Sequence, residues 1–329
     1  FSILWVAILF AAIMGAVATG VINSYYSGIL VLIGINIILA VSLNLVTGFL
    51  GQLVLGHAGF MSVGAYSAAL FTMHAGLPIS VAFPLGLIFG GLVAAIFGVI
   101  IGVPALRLRG DYLAIITLGF GEIIRVLVLA VDFTGGAAGL TGIPYIEGKY
   151  TLIIYTFFIA FLTVVAILAF IRSRHGRAVI AIREDEIAAE ASGINTTYYK
   201  LLAFVVAAFF AGVAGGIYAH YIGVLDPSKF DFNYSVEILI MVVLGGMGSI
   251  TGSVCSATVL TLLPEMLRSF ADKRMLIYSL VLIIVMLFKP TGLLGTREFS
   301  VRKIVGKLFK EKKKDTGTPP AGGAPGKEA

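Results

Sequence analysis

The hydrophobic pattern of this chain has almost no amphipathic phase. Residues 81–103, VAFPLGLIFGGLVAAIFGVIIGV, carry no charged side chain on any face. A helix that is apolar all round is buried in lipid or inside a bundle. Similar runs recur and predict ten crossings, at 3–22, 28–46, 58–73, 81–103, 111–131, 150–171, 201–222, 236–247, 250–267 and 275–289. A crossing helix needs roughly 20 residues, with a range of about 17–25, so 58–73, 236–247 and 275–289 are short. The expected fold is therefore all-α, a polytopic membrane protein of about ten transmembrane helices (8–10), some of them short or glycine-broken. Residues 1–295 form one membrane domain, interrupted by a polar loop at 172–200 and followed by a basic segment and tail at 296–329.

Composition agrees with the pattern. The chain is 59% hydrophobic and 12% charged, with mean hydropathy +1.04, whereas soluble domains run near 45–50% and about 25%. Its 40 glycines suit helices that approach closely in lipid. Cys255 is the single cysteine, and His57, His74, His175 and His220 are scattered at no ligand-like spacing, so no metal site or disulfide is expected. No acid–base pair or nucleophile–base constellation appears, so enzymatic chemistry is not expected, and no cofactor or nucleic-acid partner is implied. The chain opens on Phe1, and the run 3–22 is too long and lacks the basic leader for a signal peptide.

Charge orients the spans. Ten crossings put both termini and the loops 47–57, 104–110 and 172–200 on one side, which then holds 17 Lys/Arg against 5 on the other. The side rich in Lys/Arg faces the cytoplasm, and much of the margin comes from the tail. There, REFSVRKIVGKLFKEKKKD sets Phe299, Val301, Ile304, Val305, Leu308 and Phe309 among lysines, which predicts an amphipathic helix lying on the anionic inner leaflet. The last residues, TGTPPAGGAPGKEA, lack core formers and read as disordered. Their GGAPGK is one residue short of a phosphate loop, with no Ser or Thr after the lysine and no strand before it.

The loop 172–200 contains REDEIAAEASGIN, a solvated helix inside an oily chain. Glu184, Asp185 and Glu186 are expected in its first turn, where acids suit the positive helix end. Ala188, Ala189 and Ala191 favour helix, Gly193 stops it, and Asn195 or Thr196 caps the next one. Such an element is either a plain solvated connector or a docking helix for another protein. The loop and its surroundings resemble the membrane permease subunits of bacterial ABC importers for branched-chain amino acids, the LivM-like branch in particular. Four stretches carry the resemblance in order: NLVTGFLGQLVLGHAGFMSVGAYSAAL (44–70), LRLRGDYLAIITLGFGEIIRVL (106–127), HGRAVIAIREDEIAAEASGIN (175–195) and VLGGMGSITGSV (243–254).

In those importers a loop with a Glu-Ala-Ala…Gly pattern forms the coupling helix that sits on the ATPase subunit. Here Ala188, Ala189 and Gly193 match, while Ile187 stands where the glutamate would be and Glu186 comes one residue early. The resemblance thus implies coupling through Arg183, Glu184, Asp185, Glu186, Ala188, Ala189 and Gly193 to cytoplasmic ATPase subunits. It also implies a second, paralogous permease, a periplasmic substrate-binding protein, and a place in the bacterial inner membrane. Branched-chain amino acids are the default cargo; related permeases handle urea or short amides. The competing class is an ion-coupled secondary carrier, with Glu122 as proton relay.

Two glycine-rich breaks, Thr47–Phe60 and Gly245–Gly252, fall on the same predicted side next to short spans, a pattern that points to a translocation pathway. Gln52, His57, Ser62 and Tyr66 either line it or make ordinary interhelical hydrogen bonds. Gly245, Gly246 and Gly248 either allow close helix packing or meet the cargo. Glu122 and Arg125, three residues apart inside a span, either neutralise each other or offer Arg125 to a passing carboxylate. The loop 132–150 is either a docking site for the delivering protein or a flexible linker.

Overall fold

In a computed structural model of the chain, residues 24–108, 110–146 and 150–267 are described, with scattered residues 276, 279–280, 283, 287–289 and 292. The predicted span 3–22 and the tail 296–329 lie outside the described residues, as does most of 275–289. Among the described residues there is no β-strand, only an isolated antiparallel bridge between Leu140 and Leu225. The helices are α1 (Ser24–Asn44), α2 (His57–His74), α3 (Ile79–Ala105), α4 (Asp111–Ala130), α5 (Thr151–Arg172), α6 (Arg174–Glu184), α7 (Glu186–Ala191), α8 (Thr196–Ile222), α9 (Phe232–Gly245) and α10 (Ile250–Met266).

Five of these elements are long and apolar enough to cross a membrane: Tyr25–Phe49, Ile79–Ala105, Asp111–Ala130, Thr151–Arg172 and Thr196–Ile222. Two of the three predicted short spans fall among the described residues. The one at 58–73 is α2, 18 residues long and buried over most of its length. The one at 236–247 begins earlier and ends at the glycine break, as the 14-residue α9. Helix α1 does not stop at 46; it continues as a π-helical turn, Leu45–Phe49. Such turns break the regular 3.6-residue phase and occur often at functional sites.

Packing follows from the all-round apolar sequences. Helix α1 is the hub: from Ile35 to Leu50 nearly every side chain is buried. Helices α2, α3 and α8 form a second core, and their closeness depends on residues without side chains. A Cβ at Gly64 of α2 would overlap the Gly212 backbone of α8. One at Gly90 of α3 would lie 2.6 Å from the Gly64 carbonyl, and one at Gly212 would lie 2.8 Å from the Gly90 carbonyl. Without a hydrophobic drive between helices in lipid, such close approach is the main source of association. The opposite face of α3 exposes Leu85, Ile88, Leu92, Ile96, Val99 and Val103, an apolar stripe suited to lipid.

Candidate functional site

The polar loop folds as two helices rather than one. Asp185 breaks them apart: its extended backbone ends α6, and its carboxylate accepts hydrogen bonds from the Ile187 and Ala188 amides at 2.9 and 3.0 Å. Asp185 is thus the N-cap of α7. Glu184, expected in the first turn of the docking helix, is the last residue of α6 instead. Gly193 takes φ +83, the left-handed conformation that ends a helix without steric cost. Asn195 then caps α8 by accepting from the Tyr198 amide at 3.1 Å.

Two polar rungs strap α7 to α8. Thr196 donates to Glu190 at 2.7 Å, and Lys200 pairs with Glu186 at 2.7 Å. Glu186 and Glu190 are one turn apart on α7, as Thr196 and Lys200 are on α8, so the rungs lie on one side. Ala189 is buried on that inner side, while Ala188 and Ala191 are exposed and Ile187 is 72% exposed. An aliphatic side chain thus stands outward on an otherwise charged loop.

The two glycine breaks predicted from sequence are joined to each other. Asn44, the last α-helical residue before the π turn, has its side-chain oxygen accept from the Gly248 amide at 2.9 Å. Its side-chain nitrogen donates to the Ser249 carbonyl at 3.0 Å and to the Ser253 hydroxyl at 2.9 Å. Gly246 and Gly248 have φ +108 and +83 and make the turn between α9 and α10. Gly245 and Gly252 put their backbones in contact across that turn, so a Cβ on either would overlap the other. For Gly245, the geometry found is close helix packing. Arg183 also reaches this joint: its Nη1 donates to the Gly48 carbonyl at 2.8 Å. The resemblance had grouped Arg183 with the docking residues, and the glycine breaks had pointed to a pathway, yet they share one place.

The remaining predicted pathway residues do not gather into one site. Gln52 lies half-buried beside the π turn, its backbone N–H donating to the Val46 carbonyl at 3.1 Å. His57 is buried, its Nε2 2.9 Å from the Ser42 hydroxyl of α1, an interhelical hydrogen bond. The Ser62 hydroxyl, like that of Thr47 in the π turn, is buried without a hydrogen-bond partner. Tyr66 points toward the other end of the bundle, donating to the Leu225 carbonyl at 3.1 Å and packing edge-on against Phe230.

At that far end the loop after α4 meets the loop after α8. Leu140 and Leu225 exchange two backbone hydrogen bonds, of 2.9 and 3.0 Å. Beside them Asp226 caps the turn Pro227–Lys229; hydrogen bonds from Ser228 and the Lys229 charge hold its carboxyl below the usual range. The described part of loop 132–150 is therefore tied down at Leu140 and exposes Phe133 and Tyr145.

Glu122 and Arg125 pair within α4 at 2.7 Å, about a third exposed. The i,i+3 spacing was legible in the sequence. Sequence reasoning passed over Asn44 and Glu237, although each announced itself as a strongly polar residue within an apolar run. Glu237 is half-buried on α9, a second acid among the apolar helices.

With the geometry in place, comparison with known proteins is direct. LivM, the high-affinity branched-chain amino acid transport system permease protein of Salmonella typhimurium, is 39% identical over 291 residues, spanning 79% of this chain and 68% of LivM. LivH of Escherichia coli is 35% identical over 143 residues, 43% of this chain and 46% of LivH. A transporter assigned to the metal-chelate ABC type, solved in an inward-facing conformation, aligns with TM-score 0.45 and 16% identity over 88% of this chain and 98% of that one. A family profile described as the permease component of the branched-chain amino acid transport system matches residues 25–289. The chain belongs to that family of multi-pass membrane permeases.

Proposed function

We propose that this chain is the membrane subunit of an ATP-driven importer that carries branched-chain amino acids across the bacterial inner membrane. Separate ATPase subunits would dock on the loop 172–200, which then faces the cytoplasm together with both termini. A paralogous permease would complete the pathway, and a periplasmic binding protein would deliver cargo near Phe133 and Tyr145. Family membership supports the reading, and the outward display of Ile187, Ala188 and Ala191 on a braced helix carries it. A lone exposed apolar residue is ordinary on any surface; Ile187 gains its meaning from standing on a helix held by two rungs, where the related importers carry their coupling helix. This chain's part is to change the relative energy of inward- and outward-open states, without bond chemistry.

The direct test is reconstitution in liposomes with the ATPase subunits, the paralogous permease and the binding protein. Leucine uptake that requires ATP is expected; uptake by this chain alone, driven by a proton or sodium gradient, would replace the proposal with a secondary carrier. Retention of urea or short amides, and not leucine, by the binding protein would reassign the cargo. For topology, a cysteine at exposed position 188, in a Cys255→Ser background because Cys255 is itself exposed, should react with an impermeant maleimide only from the cytoplasmic side.

Glu122 and Arg125 already satisfy each other, which fits a pair that neutralises charge within the membrane. Arg125→Lys should keep assembly and lower uptake by less than about threefold, since a surviving cation can still meet Glu122. A loss of tenfold or more with assembly intact would instead assign Arg125 to the cargo carboxylate, because only the planar fork would then be missing.

A further inference from the structure

We infer that Arg183 is a positioning residue that carries the movement of the docking loop into the joined glycine breaks. The inference rests on the importer reading and adds to it the point where the push enters the membrane body. Three observations support it. Arg183 sits in the last turn of α6, two residues before Asp185, the N-cap of α7, and although the residue stays exposed overall its guanidinium reaches the Gly48 carbonyl at 2.8 Å. Two glycines flank the side chain closely. A Cβ on Gly248 would come within 3.0 Å of Nη1, and one on Gly51 within 3.0 Å of Cγ. Both glycines hold positive φ, +83 and +77, a backbone conformation that another residue would strain.

The acceptor also matters. Gly48 belongs to the π turn, where the regular hydrogen-bond ladder is interrupted. A guanidinium hydrogen bond to a main-chain carbonyl is charge-assisted and directional, so shifting α6 pulls on this turn. The turn does not move alone, since Asn44 holds it to Gly248, Ser249 and Ser253. One arginine thereby touches the only two glycine-rich breaks predicted from sequence. Behind it, the rungs to Lys200 and Thr196 keep α7 from sliding over α8, so displacement of the loop is passed on through α6.

The test compares Arg183→Met with the wild-type importer assembled from all its subunits. Wild type must first show ATP-dependent uptake; if it does not, the importer reading fails and not this inference alone. Given that, Arg183→Met should still copurify with the ATPase subunits and hydrolyse ATP within about twofold of wild type, while uptake falls at least tenfold. A second readout follows the break itself. In a Cys255→Ser background, Gln52→Cys should change its maleimide reactivity when ATP is added, and that change should vanish with Arg183→Met. Arg183→Lys, which keeps a cationic donor, should recover part of both signals. Unaltered uptake in Arg183→Met would overturn the inference. Joint loss of hydrolysis and of subunit copurification would also overturn it, by placing Arg183 at the ATPase contact. If Arg183→Met does not reach the membrane, Arg183→Gln is read by the same criteria.

Discussion

Gly64→Val is expected to abolish the folded permease, whereas Gly119→Val should leave it standing. At Gly64 the first added atom already overlaps the Gly212 backbone, and the Gly64 carbonyl lies against Gly90 of a third helix. Overpacking costs about 1–3 kcal/mol where side chains can shift aside. Here the obstacle is main chain on both sides, and two helices would have to separate, so the penalty exceeds that range. Gly119 is also helical, but nothing lies within 4 Å of its missing Cβ, which makes it a control for the general cost of valine in a helix. Thermal unfolding of the purified proteins in detergent reads the difference directly. Gly64→Val should yield no cooperative transition, and Gly119→Val should melt within a few degrees of wild type. Similar melting of both would mean that the α2–α8 crossing has slack that the structure does not show.

Glu186→Gln should destabilise the chain more than Lys200→Met, although the two changes break the same ion pair. The Lys200 side chain is 4% exposed and Glu186 20%. Removing the carboxylate strands a buried ammonium, and removing one partner of a buried pair costs about 3–5 kcal/mol. Because Glu186 keeps some access to water, the lower edge, about 3 kcal/mol, is the appropriate figure. Removing the ammonium leaves a carboxylate that can turn toward solvent, and methionine refills the apolar stem, so about 1 kcal/mol is expected. Hydrogen exchange of the α7 and α8 amides would rank the variants. The reverse order would show that the pair is governed by Glu186 and not by the burial of Lys200.

What could be read from the sequence depended on the range of the interactions involved. The limits of α2, predicted as 58–73 and found as His57–His74, were legible because a glycine-rich break and a polar end punctuate them locally. Glu122 and Arg125 were legible because their spacing alone makes them neighbours. The splitting of the docking loop at Asp185 was not, since the acids there suit a helix start equally well at 184, 185 or 186. Only the backbone, extended at Asp185, decides. The π turn at Leu45–Phe49 leaves no periodic trace in a run apolar on every side. The inward course of Arg183 was likewise invisible, because its acceptor is 135 residues away. Charge on a solvated loop reads as solvent-facing until the fold supplies a carbonyl.

The Leu140–Leu225 bridge has a consequence for tolerance to mutation. It ties the loop after α4 to the loop after α8 through main-chain amides and carbonyls alone. Two such bonds are worth about 2 kcal/mol net. The fastening itself is blind to side-chain identity, whereas proline at either position would remove one of its two donors.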